Sequence, residues 1–579
     1  MLFFEMAEET SASNGSVSGP GERNAIGISF GNSNSSIAYT SAEDKAEVIA
    51  NEDGDRQIPS ILSYIHGDEY YGQQAKQQLV RNNQNTVAYF RDFLGQDFKS
   101  IDPTHCHASA HPLEHESTVA FKVQDKEEGE PSLLTVSEVT TRLIRRLAQS
   151  ASDFSGKEIN SAVLTIPTNF SDKQKAALAK AVNDAGLEVL QFIHEPVAAL
   201  LAYDARPETK VTDKNVIVAD LGGTRSDVAV IASRGGMYTI LATAHDYEFA
   251  GVHLDKVLMD HFSKEFIKWN SIDPRENARS LAKLKLEAEA TKKALSIGTN
   301  ASFSVESLAE GIDFSSTINR LRYETIGRKV FEGFNRLIEG VVKKAGLDVL
   351  EIDEIILSGG TSHTPKIASN VQYLFPKATV LAPSTTPTAI NPSELQARGA
   401  GLQASLIQEY EAEDIEQSTH PAVTAVPHLT HAIGVLSITG DSEKGVFTPI
   451  VAAETAVPAR RSIEIATPKE GGDVLIKIVE GGSYIKVTKP EPKPKSNGAK
   501  VADAGSDDSE EDDSEEEEEE LREKVWKVGN VLAEAAVKGV KKGGKVEITI
   551  NITKDLGVTV TAREVGEKGG VRGTLAAPQ

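Results

Sequence analysis

Residues 218 to 231 read VADLGGTRSDVAVI. A β-branched run enters Asp220, turns on Gly222 and Gly223, and leaves through Asp227 into a second apolar run. Glycines at such a turn let backbone N–H groups come close to an anion, because no Cβ intervenes. The turn suits a phosphate, and its continuation Thr224, Arg225, Ser226 raises the question of whether a bound nucleotide is hydrolysed or held.

The same pattern occurs once before. AIGISFGNSNSSIAYT, residues 25 to 40, is again apolar strand, Gly-containing polar turn and apolar strand. A separation of roughly 190 residues is too long for a solenoid repeat and suits a duplicated lobe. Two like lobes would set two β-turns facing each other across a cleft, with room for a phosphate chain. From 24 to 408 short β-branched runs (SAVLTIP at 161–167, IDEIILSGG at 352–360) alternate with amphipathic stretches, the pattern of an α/β domain. In NFSDKQKAALAKAVNDAG, Ser171 with Gln174 forms a capping box and Gly186 a stop, predicting a helix between them.

The texture changes after Gln408. Residues 409–428 are acidic, polar and Pro-containing, as a linker would be. HAIGVLSI, RSIEIATP, DVLIKIVEG, SYIKVTK, KVEITINIT and GVTVTAREV then predict an all-β domain over 429–575. It is interrupted at 490–520 by a segment too poor in apolar residues to fold. Within it, residues 503–520 hold 13 acidic residues and no basic ones, so removing them from the net charge of −24 leaves −11. Such a run reads either as a solvating loop or as a contact for a basic partner.

At 579 residues the chain needs more than one domain. A net charge of −24 would argue against direct nucleic-acid binding if it were spread evenly, but the folded part is only mildly acidic; no direct nucleic-acid binding is expected. Cys106 is the single cysteine, so no intramolecular disulfide forms. His105, Cys106 and His107 are adjacent and cannot readily all face one ion, and no second cluster completes four ligands. The first 23 residues lack a basic stretch before an apolar core and read as a disordered tail rather than a signal peptide. No 18-residue apolar run offers a membrane helix. A soluble cytoplasmic protein is expected.

Holding a triphosphate takes backbone donors, cations and usually Mg²⁺; hydrolysing it also takes a positioned water. Asn32, Ser33 and Asn34 offer amides and short polar side chains, although the same residues suit a plain hairpin turn. Glu289, Lys292, Lys293 and Ser296 share one helical face, as either a solvated Glu–Lys ladder or a polar stripe for ribose and base. Gly359 and Gly360 end a strand where a ligand could approach closely.

Taken in order, GISFGNSNSS, QQAKQQLVRNNQNTVAYFRDFLG, the segment from LTIPTNF to HEPVAALLAY, VADLGGTRSDVAV, EGIDFSSTINRLRYE and LSGGTSHTPKI resemble the nucleotide-binding domain of the heat-shock protein 70 family over residues 25–408. The resemblance implies a two-lobed actin-like nucleotide-binding domain followed by a β-sandwich that holds extended peptides. It places Asn32, Ser33, Asn34, Gly222, Gly223 and Thr224 on the phosphates of ATP. Lys76 falls at the catalytic lysine, and Glu195, Asp220 and Asp227 at carboxylates that hold hydrated Mg²⁺. Glu289, Lys292, Lys293, Ser296, Gly359, Gly360 and His363 fall at adenosine contacts.

The departures from the family pattern gather near the hydrolytic centre. Ser29 stands where the first strand carries an Asp, and Thr224 and Arg225 replace the third glycine and the threonine of the second loop. Ala250 with Gly251 stands for a glycine pair, Val252 and His253 for two acidic residues, His363 for an arginine and Ser393 for a carboxylate. Of the linker's run of leucines only Ile415 remains, and no helical lid follows the truncated β domain. This combination resembles the fungal Ssz-type subunits of the ribosome-associated complex. That likeness implies ATP binding with little or no hydrolysis and a stable heterodimer with a J-domain protein, zuotin. It also implies residence at the ribosome, activation of an ordinary heat-shock protein 70 chaperone, and nascent polypeptide as a further ligand. The alternative is an active chaperone ATPase in which Arg225 stabilises the phosphoryl-transfer transition state. A kinase of the same two-lobed fold is disfavoured by the β module.

Overall fold

The computed structural model describes residues 23–41, 45–106, 108–419, 426–437, 445–467, 470–488, 521–567 and 569–575. The expected N-terminal tail up to residue 22, His107 and the acidic interruption lie outside the described residues. The chain divides into two compact units, Met1–Ala202 with Gln396–His420, and Tyr203–Leu395 with Pro421–Gln579.

The first unit is built on a sheet ordered Glu188–His194, Ser161–Ile166, Ala25–Phe30, Asn34–Thr40, Ala46–Ile49. Its first three strands run parallel and the next two antiparallel. Ile26, Ile28, Phe30, Leu164 and Ile166 are buried with Val139, Leu143 and Leu147 of helix Val136–Ser155, so the apolar runs form one core. The predicted capping box is present: Gln174 N–H donates to Ser171 Oγ, and Gln174 Oε1 accepts from Ser171 N–H. Helix Leu395–Ile407 crosses this sheet at glycines. A Cβ on Gly27 would sit 2.1 Å from Gly401 N, so the two backbones touch where side chains would normally keep them apart.

The second unit repeats that sheet. Thr379–Leu381, Glu354–Ser358 and Lys214–Leu221 are parallel, and Ser226–Arg234 and Met237–Asp246 continue antiparallel. The strand order and sense match the first unit, which accounts for the two similar strand–turn–strand stretches in the sequence. Helices Gly251–Asn270, Ala278–Ile297 and Arg328–Lys344 pack on it. Phe262, Phe266, Phe303 and Phe314 form an aromatic cluster in which Phe262 and Phe303 stack at 4.1 Å. Such offset pairs add modestly to the area they bury.

The same unit contains the all-β part, two four-stranded antiparallel sheets. One orders Val446–Val451, Ala432–Ser437, Gly472–Thr488, Leu521–Val540; the other Ala459–Ala466, Lys545–Ile552, Val558–Glu564, Gly570–Leu575. Ile476, Ile478, Ile548, Ile550 and Val560 fill the space between them. The α/β fold class with a following β domain is thus as expected, and among the described residues no helix follows the β domain.

Four details differ from the sequence reading. DVLIKIVEG and SYIKVTK are one strand, running through Gly481 because the Phe447 ring lies where its Cβ would be. Leu521–Val540, rich in Glu, Lys and Ala, is a strand registered along its length with Gly472–Thr488. Gly570–Leu575, not among the runs read as strands, pairs with Val558–Glu564. In the stretch expected as linker, Ala412–Thr419 forms a helix whose Ile415 is buried against Val163, Leu190 and Ala404.

Candidate functional site

In the second unit the stretch that opened the sequence reading forms a tight turn between two strands. Gly222 N–H donates to the Arg225 carbonyl at 3.0 Å, and a Cβ on Gly222 would lie 2.9 Å from that oxygen. Three further donors fix the loop: Gly251 N–H and Thr361 Oγ1 on the Gly222 carbonyl at 3.0 and 2.9 Å, and Val252 N–H on the Gly223 carbonyl at 2.8 Å. With its carbonyls committed on one side, the turn is held rigid.

Lys292 joins this group. Its Nζ donates to the Gly251 carbonyl at 3.0 Å and pairs with Asp255 at 2.8 Å. Lys293, on the same helix, instead pairs with Glu289 at 2.7 Å and is largely exposed, so the Glu–Lys ladder and the inward contact coexist on one stripe. Ser296 Oγ donates to the Lys292 carbonyl. Gly359 adopts φ +82°, and a Cβ there would lie 2.4 Å from the Leu221 carbonyl oxygen and 2.7 Å from Asp220 Oδ1. Only glycine fits this crossing comfortably. Gly360 opens the short helical turn that carries His363. His363 Nε2 lies 3.1 Å from Asn391 Oδ1 and 3.2 Å from Ser393 Oγ, and burial pushes its pKa below that of an ordinary histidine. Burial thus favours the neutral imidazole over the charged one.

Arg225 and Asp227 change the character of the turn. Asp220 and Asp227 are register partners on adjacent antiparallel strands, so their carboxylates share a face. Arg225 is 5% and Asp227 8% exposed. The guanidinium meets both carboxylate oxygens of Asp227, Nε at 2.6 Å on one and Nη2 on the other. Its Nη1 donates to Tyr247 Oη at 2.9 Å. A two-pronged arginine–carboxylate pair out of water is among the stronger hydrogen-bonded contacts. His253 accepts the Ala250 N–H at Nδ1.

In the first unit, Asn32 and Ser33 lie in the turn between Ala25–Phe30 and Asn34–Thr40, and Asn34 opens the second strand. Ser60 pins it: its N–H donates to the Ser33 carbonyl at 3.0 Å and its hydroxyl to the Gly31 carbonyl at 2.6 Å. Ser33 Oγ is shielded from solvent and meets no hydrogen-bond partner among the described residues. A buried hydroxyl of that kind fits an absent ligand atom. Lys76 lies half-buried on the short helix Gly72–Gln77. Glu195 starts helix Glu195–Asp204 and is met by Arg91 at 3.2 Å, with both side chains buried. Ser29 Oγ donates to Gln396 at 3.0 Å.

Several contributors escaped the sequence reading. Thr361 follows the glycine pair directly and its hydroxyl could have been suspected. Tyr247, Asp255, Ser60 and Arg91 carry no local signal, because their partners are set by the fold.

The chain matches the Hsp70 protein family model over residues 25–490. It is 44% identical over 554 residues, 95% of this chain and 99% of the relative, to the ribosome-associated complex subunit SSZ1 of Saccharomyces cerevisiae. A heat shock protein 70 homolog of Schizosaccharomyces pombe is 45% identical over 96% of each chain. The heat shock 70 kDa protein 14 of Xenopus tropicalis is 30% identical over 79% of this chain and 88% of its own. The duplicated sheet, the glycine turn after Asp220, the β-sandwich and these matches lead to one conclusion: the chain belongs to the Hsp70 family.

Proposed function

We propose that this protein is an ATP-holding co-chaperone subunit that hydrolyses its nucleotide slowly or not at all. The observation that carries the reading is the Arg225–Asp227 pair, buried beside an otherwise well-formed glycine turn. A side chain that could help position the attacking water is instead committed to a guanidinium. Losing one positioned electrostatic element typically costs 10² to 10³ in rate. The same pair weighs against Arg225 as a transition-state cation, since its Nε and Nη2 already point at Asp227.

In this reading Gly222, Gly223, Thr224, Asn32, Ser33, Asn34 and Lys76 attend the phosphates. Glu289, Lys292, Lys293, Ser296, Gly359, Gly360 and His363 attend the nucleoside. Bound ATP then acts as a structural ligand, stabilising the fold by mass action. Identity of 44% to a protein named as a ribosome-associated complex subunit supports a place in such a complex. The partners would be a J-domain protein of the zuotin type as stable heterodimer, the ribosome, an ordinary heat-shock protein 70 chaperone that the pair activates, and nascent chains. In this reading the protein is cytoplasmic and ribosome-associated.

Two measurements test this reading. In single-turnover assays the purified protein should retain ATP without releasing phosphate at an ordinary family rate; release at that rate sinks it. Co-sedimentation with ribosomes should require the J-domain partner, and loss of sedimentation with the partner present would remove the ribosomal half.

A further inference from the structure

Hsp70-type nucleotide sites imply Mg²⁺, and the residues of this chain fit that ion poorly. Two of the acidic groups expected to serve the ion are each met by an arginine inside their own unit. Asp227 offers both oxygens to Arg225, and Glu195 is met by Arg91. Ser29 brings a hydroxyl rather than a carboxylate, and it donates to Gln396.

The register explains why a cation is needed at the turn. Asp220 and Asp227 stand directly opposite each other, and like charges so placed on one sheet face repel. Buried charge must be compensated. A divalent ion would do this from outside the chain. Here the compensating charge is covalent, two residues before Asp227, and held by Tyr247, whose ring lies 5.0 Å from the guanidinium carbon and whose hydroxyl accepts from Nη1.

We infer that Arg225 is a built-in substitute for the metal, so that this chain holds nucleotide without Mg²⁺. The inference rests on ATP binding as read above. Its consequence is a charge that cannot dissociate: chelation, which should loosen an Mg²⁺-bridged complex, leaves this one in place.

The test is isothermal titration of the full-length protein with ATP, in excess Mg²⁺ and in excess EDTA. The two affinities should agree within about threefold, and Arg225→Ala should open a gap of about tenfold or more in favour of Mg²⁺. Arg225→Lys, which keeps a charge but not the two-pronged contact, should fall between and guards against a variant that misfolds. Arg225→Ala/Asp227→Asn should lose the gap, because the need for a cation is gone. Thermal shift with Mn²⁺ alone gives a readout free of nucleotide: no shift for the parent, a rise for Arg225→Ala. An EDTA-sensitive parent, or single variants as indifferent to Mg²⁺ as the parent, overturns the inference. Failure to bind ATP in either buffer overturns the ATP-holding reading itself and takes the inference with it, whereas binding that needs Mg²⁺ leaves that reading intact.

Discussion

Lys292 and Asp255 form a 2.8 Å ion pair that ties helix Ala278–Ile297 to helix Gly251–Asn270, with both side chains mostly shielded from water. The pair anchors the helix whose first N–H groups hold the glycine turn, so it links packing to the site. Removing one partner strands the other charge in a poorly solvated place. Lys292→Met should therefore lower stability by about 3 kcal/mol, and adding Asp255→Asn should recover part of that loss. Urea unfolding of the single and double variants measures both.

Ser33 offers a cleaner separation of folding from binding. Its hydroxyl meets no partner among the described residues, so Ser33→Ala should leave the unfolding midpoint where it is. Under the ATP-holding reading the same change should weaken ATP binding roughly three- to tenfold, the worth of one hydrogen bond. Calorimetric titration alongside thermal unfolding distinguishes the two effects.

Gly27 tests the backbone crossing in the first unit. A Cβ there would meet Gly401 N at 2.1 Å, and the neighbour is backbone, which cannot swing aside. Gly27→Ala should cost about 3 kcal/mol or more, at or beyond the upper end of ordinary overpacking. Soluble yield and the denaturation midpoint report it.

His363 sets a pH dependence. Its pKa in the fold is depressed by burial below the ordinary 6.5. Between the two values the unfolded chain binds the proton more readily than the folded one, so stability rises with pH. This contribution is complete above about 6.5 and is lost as the solution is acidified below it. His363→Gln should flatten that part of the stability profile between pH 7.5 and 5.5, roughly the range over which imidazole titrates. Equal acid sensitivity in the variant would show that other groups dominate.

Much of the α/β part was legible because its signals are local. The strands at Ala25–Phe30 and Lys214–Leu221 announce themselves by β-branched runs, and Ser171 with Gln174 marks a helix start through contacts three residues apart. Leu521–Val540 was not legible, since Glu523, Lys524, Ala533, Glu534, Ala535 and Ala536 are good helix formers. What makes it a strand is a partner lying across residues 489–520 in the sequence. At the candidate site, the glycine turn and the altered Thr224 and Arg225 could be read in one dimension. The grip of Arg225 on Asp227 could be suspected from their spacing, but the seat provided by Tyr247, 22 residues further along the sequence, could not.

The hairpin of Gly472–Thr488 and Leu521–Val540 has one more consequence. Thr488 and Leu521 are register partners, so the two strand ends that flank residues 489–520 are neighbours. Closing a loop whose ends are already neighbours costs free energy that grows only with the logarithm of its length. The acidic stretch between them is thereby a replaceable cassette. Its size and charge can be rewritten while Ile476, Ile478 and Ile548 go on packing as before.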